Sequence, residues 1–325
     1  MAGAGTPIVR VSRCCPANYT PRACYRSRCP VTGRRTAGRM RWYTARERQL
    51  EEITTMLRSR EWSCVSFSER LLHGGRPSLP PRVRERVIYY RDSDAQMAGA
   101  ILQSFTGVYL PCLPRPERWD RQLTARLADR LRRGSLSNAM VMGAEDDVRL
   151  VESAIASRPA HAVDYLLLLC EQPLPATRTA PDWFQIRRAE ESDCRLLAPL
   201  QLSYEEEEVL LPGRSLNAAA TLRGLRTRLR TQEVYLAHIN GQPIGMAGTN
   251  ARGFDYDQIG GVFTVGRYRN RGVSRALMAR LARSAACAGR RLCLFVKPSN
   301  AAAIRIYQQM GFVRRDDFRI TYYNQ

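Results

Sequence analysis

The stretch that most restricts the fold of this chain is a strand, a basic turn and a helix start in immediate succession. GGVFTV (Gly260–Val265) is an apolar run of strand character, and RYRNRGVSRALM (Arg267–Met278) follows it, opening a helix that runs to about Ala288. The first N–H groups of a helix have no partner inside it. They face outward with the positive end of the helix dipole behind them, which makes such a turn a seat for an anion. Gly272 lets the backbone come close to that anion. Arg267, Arg269, Arg271 and Arg275 surround it with charge. The chain therefore has the means to bind a phosphorylated ligand, and must fold so that a strand delivers the turn.

Composition sets the outer limits. The 325 residues allow roughly two domains of about 150 residues each. The net charge is +21, and Lys297 is the only lysine. An arginine skew of this kind reads as GC-rich coding rather than function, although a positive field still favours anionic ligands. The ten cysteines contain no CxxC pair and there are only three histidines, so a metal site is not expected. Reduced thiols and a cytoplasmic location are the expectation. The longest strongly apolar run, YLLLLC (Tyr165–Cys170), is too short to span a bilayer. No apolar signal region opens the chain, and no membrane partner is expected.

Residues 1–39 differ from the rest. They hold eight arginines, four cysteines and no acidic residue, and their composition cannot bury a core. Two readings stand: a basic, disordered arm, or an upstream-start artefact with the true start at Met40, the second being preferred. From there an amphipathic helix is expected over about Thr44–Arg58. Trp62–Leu72 reads as a strand or short helix. Arg86–Arg91 and Met97–Ser104 read as paired strands, and Gly107–Pro114 as another. A helix over Trp119–Gly134, strands over Ser137–Gly143 and Val163–Cys170, and a helix between them complete this half. Glu171–Trp183 is a Pro/Thr-rich linker.

The second half restarts with a strand at Phe184–Arg187, a helix capped near Ser192, and a helix over Ala218–Arg230. Val234–Gly241 and Pro243–Arg252 form a hairpin around Asn240-Gly241, a favoured tight turn. After the strand, turn and helix of the opening come a strand at Arg291–Lys297, a short helix closed by Gly311, and Phe318–Tyr323, expected to end the sheet.

VFTVGRYRNRGVSRALM resembles the acyl-CoA-binding motif of the GNAT superfamily of N-acetyltransferases. Its core, an Arg or Gln, two residues, a Gly, one residue, then a Gly or Ala, falls on Arg269, Gly272 and Ser274. Ser274 departs from the pattern, and modestly altered pyrophosphate geometry is expected there. The second family element, an Asn, then a helix with a Tyr, then Gly-Phe, falls on Asn300, Tyr307, Gly311 and Phe312. The resemblance covers roughly Phe184–Tyr323. It implies a mixed α/β (α+β) GNAT fold: a mostly antiparallel, splayed central sheet flanked by helices. The first half resembles a worn GNAT domain without the cradle, giving the expected layout of 1–39 extension, 40–180 degenerate GNAT-like domain and 181–325 GNAT N-acetyltransferase domain. A silent first half would either form part of the acceptor site or brace the active half.

The resemblance implies acetyl-CoA as co-substrate. Its pyrophosphate would sit on the N–H groups of Arg269, Asn270, Arg271, Gly272, Val273 and Ser274, with Arg275 nearby and Asn300 across the cleft. Its pantetheine arm would pair with the edge offered by Val262, Phe263 and Thr264. The N–H near Val262 would polarise the thioester carbonyl, and Tyr307 would protonate the departing sulfur. Some members place a basic glutamate on the central strand, where this chain has Gln258, with Asp255, Tyr256 and Asp257 beside it. The acidic run Glu205–Glu208 is the alternative source, with Glu207 taken as the candidate base. His238, within a strand, is read as a packed or surface residue. The expected activity is N-acetylation of a primary amine by direct attack in a ternary complex. The acceptor is unspecified: small molecule, peptide or protein. A CoA-binding or nucleic-acid-associated scaffold without turnover is the alternative, but no nucleic-acid-binding signature occurs and nucleic acid is not an expected partner.

Overall fold

The described residues begin with a strand where a helix start was expected. In the structure, a computed structural model, residues 41–323 are described except 82–83, 93, 115–118, 132–138, 156 and 171–180. The 1–39 extension and most of the expected linker lie outside the described residues. β1 (Trp42–Thr44) pairs with the strand that contains Ile88–Tyr90, which buries Trp42, so the first helix, α1 (Leu50–Arg58), starts six residues later than its amphipathic pattern indicates. The ambiguous 62–72 segment is helical, as α2 (Val65–Arg70). A two-strand flap, β2 (Leu72–His73) and β3 (Arg76–Pro77), precedes β4 (Glu85–Arg91) and β5 (Met97–Ser104), the expected antiparallel pair. β6 (Val108–Cys112), α3 (Arg121–Leu131), β7 (Met140–Ala144), α4 (Glu145–Ala154) and β8 (His161–Cys170) complete the first half.

The second half repeats the sequence of elements. β9 (Gln185–Arg188) leads to α5 (Cys194–Tyr204), which continues as a π turn over Glu205–Val209, and α6 (Ala218–Thr231) follows. Asp193, not Ser192, secures the start of α5: its carboxylate accepts from the Glu190 N–H and pairs with Arg187. β10 (Val234–Ile239) and β11 (Gln242–Arg252) form the expected hairpin, with Asn240 and Gly241 both at positive φ. Then come β12 (Tyr256–Thr264), α7 (Val273–Cys287), β13 (Arg291–Val296), α8 (Ala301–Gln309) and β14 (Phe312–Tyr322).

All the long strands belong to one sheet, ordered β1-β4-β5-β6-β7-β14-β8-β13-β12-β11-β10-β9. The order is the same read from either edge once the halves are exchanged. In each half the last strand does not stay with its own neighbours. β8, from the first half, lies between β13 and β14, while β14, from the second, lies between β7 and β8. The final strand is therefore central, not at the end of the sheet as expected. This exchange explains the YLLLLC run. Leu167, Leu168 and Leu169 are all at most 3% exposed, because β8 is flanked on both edges and covered on both faces. Alternation is lost when both faces of a strand are buried. Burial of one such leucine contributes roughly 1.5–3 kcal/mol.

Pairing is antiparallel throughout except at β6–β7 and β12–β13, where a helix carries the chain over. At β12–β13 the register holds from Tyr256↔Arg291 to Ile259↔Leu294 and then stops, although β12 continues to Thr264 and β13 to Val296. The two strands part there, and the gap they leave is the site. Among the described residues no helix is long and apolar enough to cross a membrane. The six described cysteines are free, five of them buried.

Candidate functional site

The turn after β12 is shaped by two left-handed residues, Asn270 at φ 63° and Gly272 at φ 84°. Gly272 is the N-cap of α7, and no side chain caps that helix. Its first N–H groups are thus unclaimed by side chains, and a Cβ on Gly272 would meet nothing within 4 Å. The seat is open and rimmed with donors, as an anion requires. The Ser274 hydroxyl is engaged by Thr264 Oγ1 at 2.8 Å, which accommodates the departure from glycine or alanine.

The arginines of the turn divide their work. Arg269 turns back to brace it: Nε donates to the Thr264 carbonyl at 2.9 Å, and Nη2 pairs with Glu207 at 2.5 Å. Its guanidinium also lies 5.5 Å from the centre of the Phe263 ring. Arg275 donates to Gln309 Oε1 on α8, and Arg267 packs over the Tyr268 ring. Arg271 is exposed and lines neither of the cavities described below.

Beside the turn, β12 carries a bulge. Its register with β11 slips between Gly260 and Phe263, and Gly261 takes φ 57°. Arg228 of α6 holds this bulge from beneath, donating to the Gly260 carbonyl at 2.7 Å and the Thr249 carbonyl at 3.2 Å. Burial lowers the Arg228 guanidinium from its ordinary value, against the pull of Tyr204 and Glu205. A side chain on Gly261 would collide with it. The Gly261 N–H faces the Tyr204 hydroxyl. Past Ile259, the edge of β12 that faces β13 has no strand partner among the described residues, so Val262 sits on an open edge.

Two adjoining cavities fill the gap. One, about 400 Å³, lies against the turn and is lined by Gly272, Val273, Ser274 and Arg275 together with Arg305 of α8. The other, about 370 Å³, runs inward between β12 and β13 past Val262, Phe263, Asn300 and Tyr307. Thr264, Arg269, Asn270 and Ser274 line both, so the two form one cleft. Asn300 caps α8 by accepting from the Ala303 N–H at 3.1 Å, and its amide donates to Glu208 Oε1 at 3.2 Å. Lys297 Nζ donates to the Glu208 carbonyl at 2.5 Å, at the end of the π turn.

Tyr307 is buried at the inner cavity. Burial pushes its pKa above the usual tyrosine value, with Tyr204 and Glu208 adding to the shift. Tyr165 is raised in the same way, by burial first and then by Tyr322, Tyr204 and Glu208.

The structure thus gathers Val262, Phe263, Thr264, Arg269, Asn270, Gly272, Val273, Ser274, Arg275, Asn300 and Tyr307 on one cleft. Glu207 is not in its lining, because its carboxylate is held by Arg269; Glu208, one position on around the π turn, is. The acids beside Gln258 are spent on arginines elsewhere, Asp255 on Arg58 and Asp257 on Arg290. Gln258 itself is buried within the sheet. His238 is half-buried in β10 and does not reach the cleft. Sequence reasoning missed Tyr165, Tyr204, Tyr322 and Arg228. Only Arg228 left a local signal: it is a cation on the helical face that carries Leu225 and Leu229.

In the first half the matching strands also part, but the edge they leave differs among the described residues. β6 and β7 pair only at Val108↔Met140 and Tyr109↔Val141 before parting. Pro111 then offers no N–H. The Leu113 N–H is taken at 3.0 Å by the buried carboxylate of Asp147, which also pairs with Arg60 at 3.3 Å. The edge that is open in the second half is satisfied internally here.

Residues 195–312 match the sequence model of the acetyltransferase (GNAT) family. No curated protein sequence matches the chain. Among solved structures, a Drosophila protein is 14% identical with a TM-score of 0.59, over 86% of this chain and 98% of that one. A GCN5-related N-acetyltransferase from Sphaerobacter thermophilus is 16% identical with a TM-score of 0.51, covering 88% and 95%. A tandem GNAT protein from the clavulanic acid biosynthesis pathway is 11% identical with a TM-score of 0.50, covering 87% and 98%. At these identities the likeness is one of fold, and it extends over both halves.

Proposed function

We propose, from the premise that the second half of this chain is a GNAT-family acetyltransferase domain, that the protein transfers an acetyl group from acetyl-CoA to a primary amine. One observation carries this reading: an uncapped helix N-terminus and an open strand edge share a single cleft with a buried tyrosine. The first suits a diphosphate, the second an amide-bearing arm, and the third a departing thiolate. Acetyl-CoA supplies the activated acyl group.

The residues divide the chemistry as follows. The turn's N–H groups from Arg269 to Ser274 hold the diphosphate, with Arg275 adding charge. Phe263 and Thr264 present main-chain groups to the arm. The Val262 N–H, aimed by the bulge over Arg228, donates to the acyl oxygen as negative charge develops there. The amine nitrogen forms a bond to the acyl carbon, the carbon–sulfur bond breaks, and the sulfur takes the proton of Tyr307. Burial keeps that hydroxyl protonated at neutral pH, as an acid must be. Glu208, in the lining where Glu207 is not, is the better-placed acceptor of the amine's surplus proton, directly or through one water.

Residues 40–180 form a degenerate GNAT-like half and 181–325 the active one, with the first half's cleft closed by Pro111 and Asp147. Free thiols on the described cysteines fit a reducing compartment, the cytoplasm. The test is calorimetry with acetyl-CoA, followed by thiol release on adding a panel of primary amines. Binding with amine-dependent release is expected. Binding without release from any amine would leave a CoA-holding scaffold, and absence of binding would remove the reading altogether.

A further inference from the structure

The inner end of the cleft differs chemically from the end at the turn. Tyr165, Tyr204, Phe295 and Tyr322 line it, with Glu208 among them. The rings come from distant parts of the chain. Tyr204 and Glu208 stand at the end of α5 and on its π turn, and Tyr322 lies on β14. Tyr165 lies on β8, which the first half inserts beside β13. There it packs edge-on against Phe295 with ring centres 4.9 Å apart.

In a chain of net charge +21, this end carries a carboxylate, that of Glu208. Its Oε1 accepts from the Asn300 amide at 3.2 Å. Two cations line this cavity: Arg269 is paired with Glu207, and Lys297 Nζ donates to the Glu208 carbonyl at the end of the π turn.

We propose that this end is the acceptor seat, built jointly by the two halves of the chain, and that it selects a primary ammonium on an uncharged apolar body over amines with a carboxylate beside the nitrogen. The proposal rests on the transferase reading above and adds the class of acceptor to it. Ring faces and a carboxylate attract an ammonium together. The rings also reward an apolar body, at roughly fourfold in affinity per methylene buried. A carboxylate on the carbon next to the nitrogen would enter the same field with the wrong sign, facing Glu208. The first half is then no bystander: it has lost its own site and supplies Tyr165 to the other.

Calorimetry on the full chain, with and without saturating CoA, tests this without needing turnover. Pentylamine is compared with norleucine, which is the same amine bearing an α-carboxylate, and with hexanoate. Pentylammonium is expected to bind, norleucine at least about tenfold more weakly, and hexanoate not at all. Tyr165→Leu keeps bulk but removes the ring face, and Glu208→Gln removes the charge. Each is expected to weaken pentylammonium by about tenfold; Tyr165→Leu should leave acetyl-CoA affinity unchanged, and Tyr165→Phe should retain amine binding. Equal or tighter binding of norleucine or hexanoate, no binding of pentylammonium, or full affinity in Tyr165→Leu would each overturn the proposal. Failure of acetyl-CoA to bind has a separate signature and counts against the transferase reading.

Discussion

Substitution of Gly272 separates backbone strain from charge at the turn. Its φ of 84° is one that side chains avoid, yet a Cβ there meets nothing within 4 Å. Gly272→Ala therefore carries no clash, only the left-handed penalty of about 1–2 kcal/mol. If the turn keeps its shape when empty, that penalty appears as lost stability, roughly 2–4 °C in melting temperature per kcal/mol. If the turn relaxes when empty, it appears instead as an affinity loss of up to about thirtyfold, at about 1.4 kcal/mol per decade. Gly272→Asn, which tolerates the left-handed region, should lose little of either. Gly272→Glu adds repulsion. With the carboxylate about 6 Å from a diphosphate in a water-like medium, each charge pair costs about 0.7 kcal/mol, or about 1.4 for two. Glu should therefore bind acetyl-CoA about tenfold more weakly than Ala, and the gap should shrink in high salt. Calorimetry and thermal denaturation on all four proteins supply the numbers. If Ala changed neither quantity, or Glu bound as Ala does, neither the conformation nor the anion seat would be what the geometry indicates.

Tyr307→Phe should lower the turnover number by about a hundredfold or more, with the KM for acetyl-CoA within about twofold; equal turnover would remove Tyr307 as the acid. The acid works when protonated and its pKa is raised by burial, so the alkaline fall of kcat should lie above the ordinary tyrosine value of about 10. A fall centred below that value, and lost in Tyr307→Phe, would contradict the burial argument. Acetyl-CoA should bind with a stoichiometry of one per chain, because Pro111 and Asp147 close the first half's edge; a measured stoichiometry of two would refute the closure. Residues 181–325 expressed alone should not unfold cooperatively, since β13 and β14 would face each other across the gap left by β8. A sharp two-state melt of that fragment would show that the exchanged strand is dispensable.

The readable parts of the fold were those set by local chemistry. Asn240-Gly241 marked a hairpin because few other pairs accept two positive φ values in succession. The apolar run at 260–265 and the arginine-rich turn after it located the cleft, since a strand running through a basic turn into a helix start leaves N–H groups exposed together. The helix start at Thr44 was misjudged because an amphipathic pattern cannot say where a sheet edge will recruit the residues before it. Glu207 was chosen over Glu208 because a π turn, which decides which carboxylate of the run enters the cleft, leaves no trace in a row of four identical residues.

The sequence by itself determined the glycine-bearing turn at the start of α7, most of the strands and helices of each half, and the tyrosine on the helix after Asn300. Tertiary structure alone decided that β8 and β14 change places. Strand partners are chosen by contacts between residues about 150 positions apart, and no window of sequence encodes them. For the same reason Tyr165, unremarkable within an apolar run, stands in the cleft of the other half.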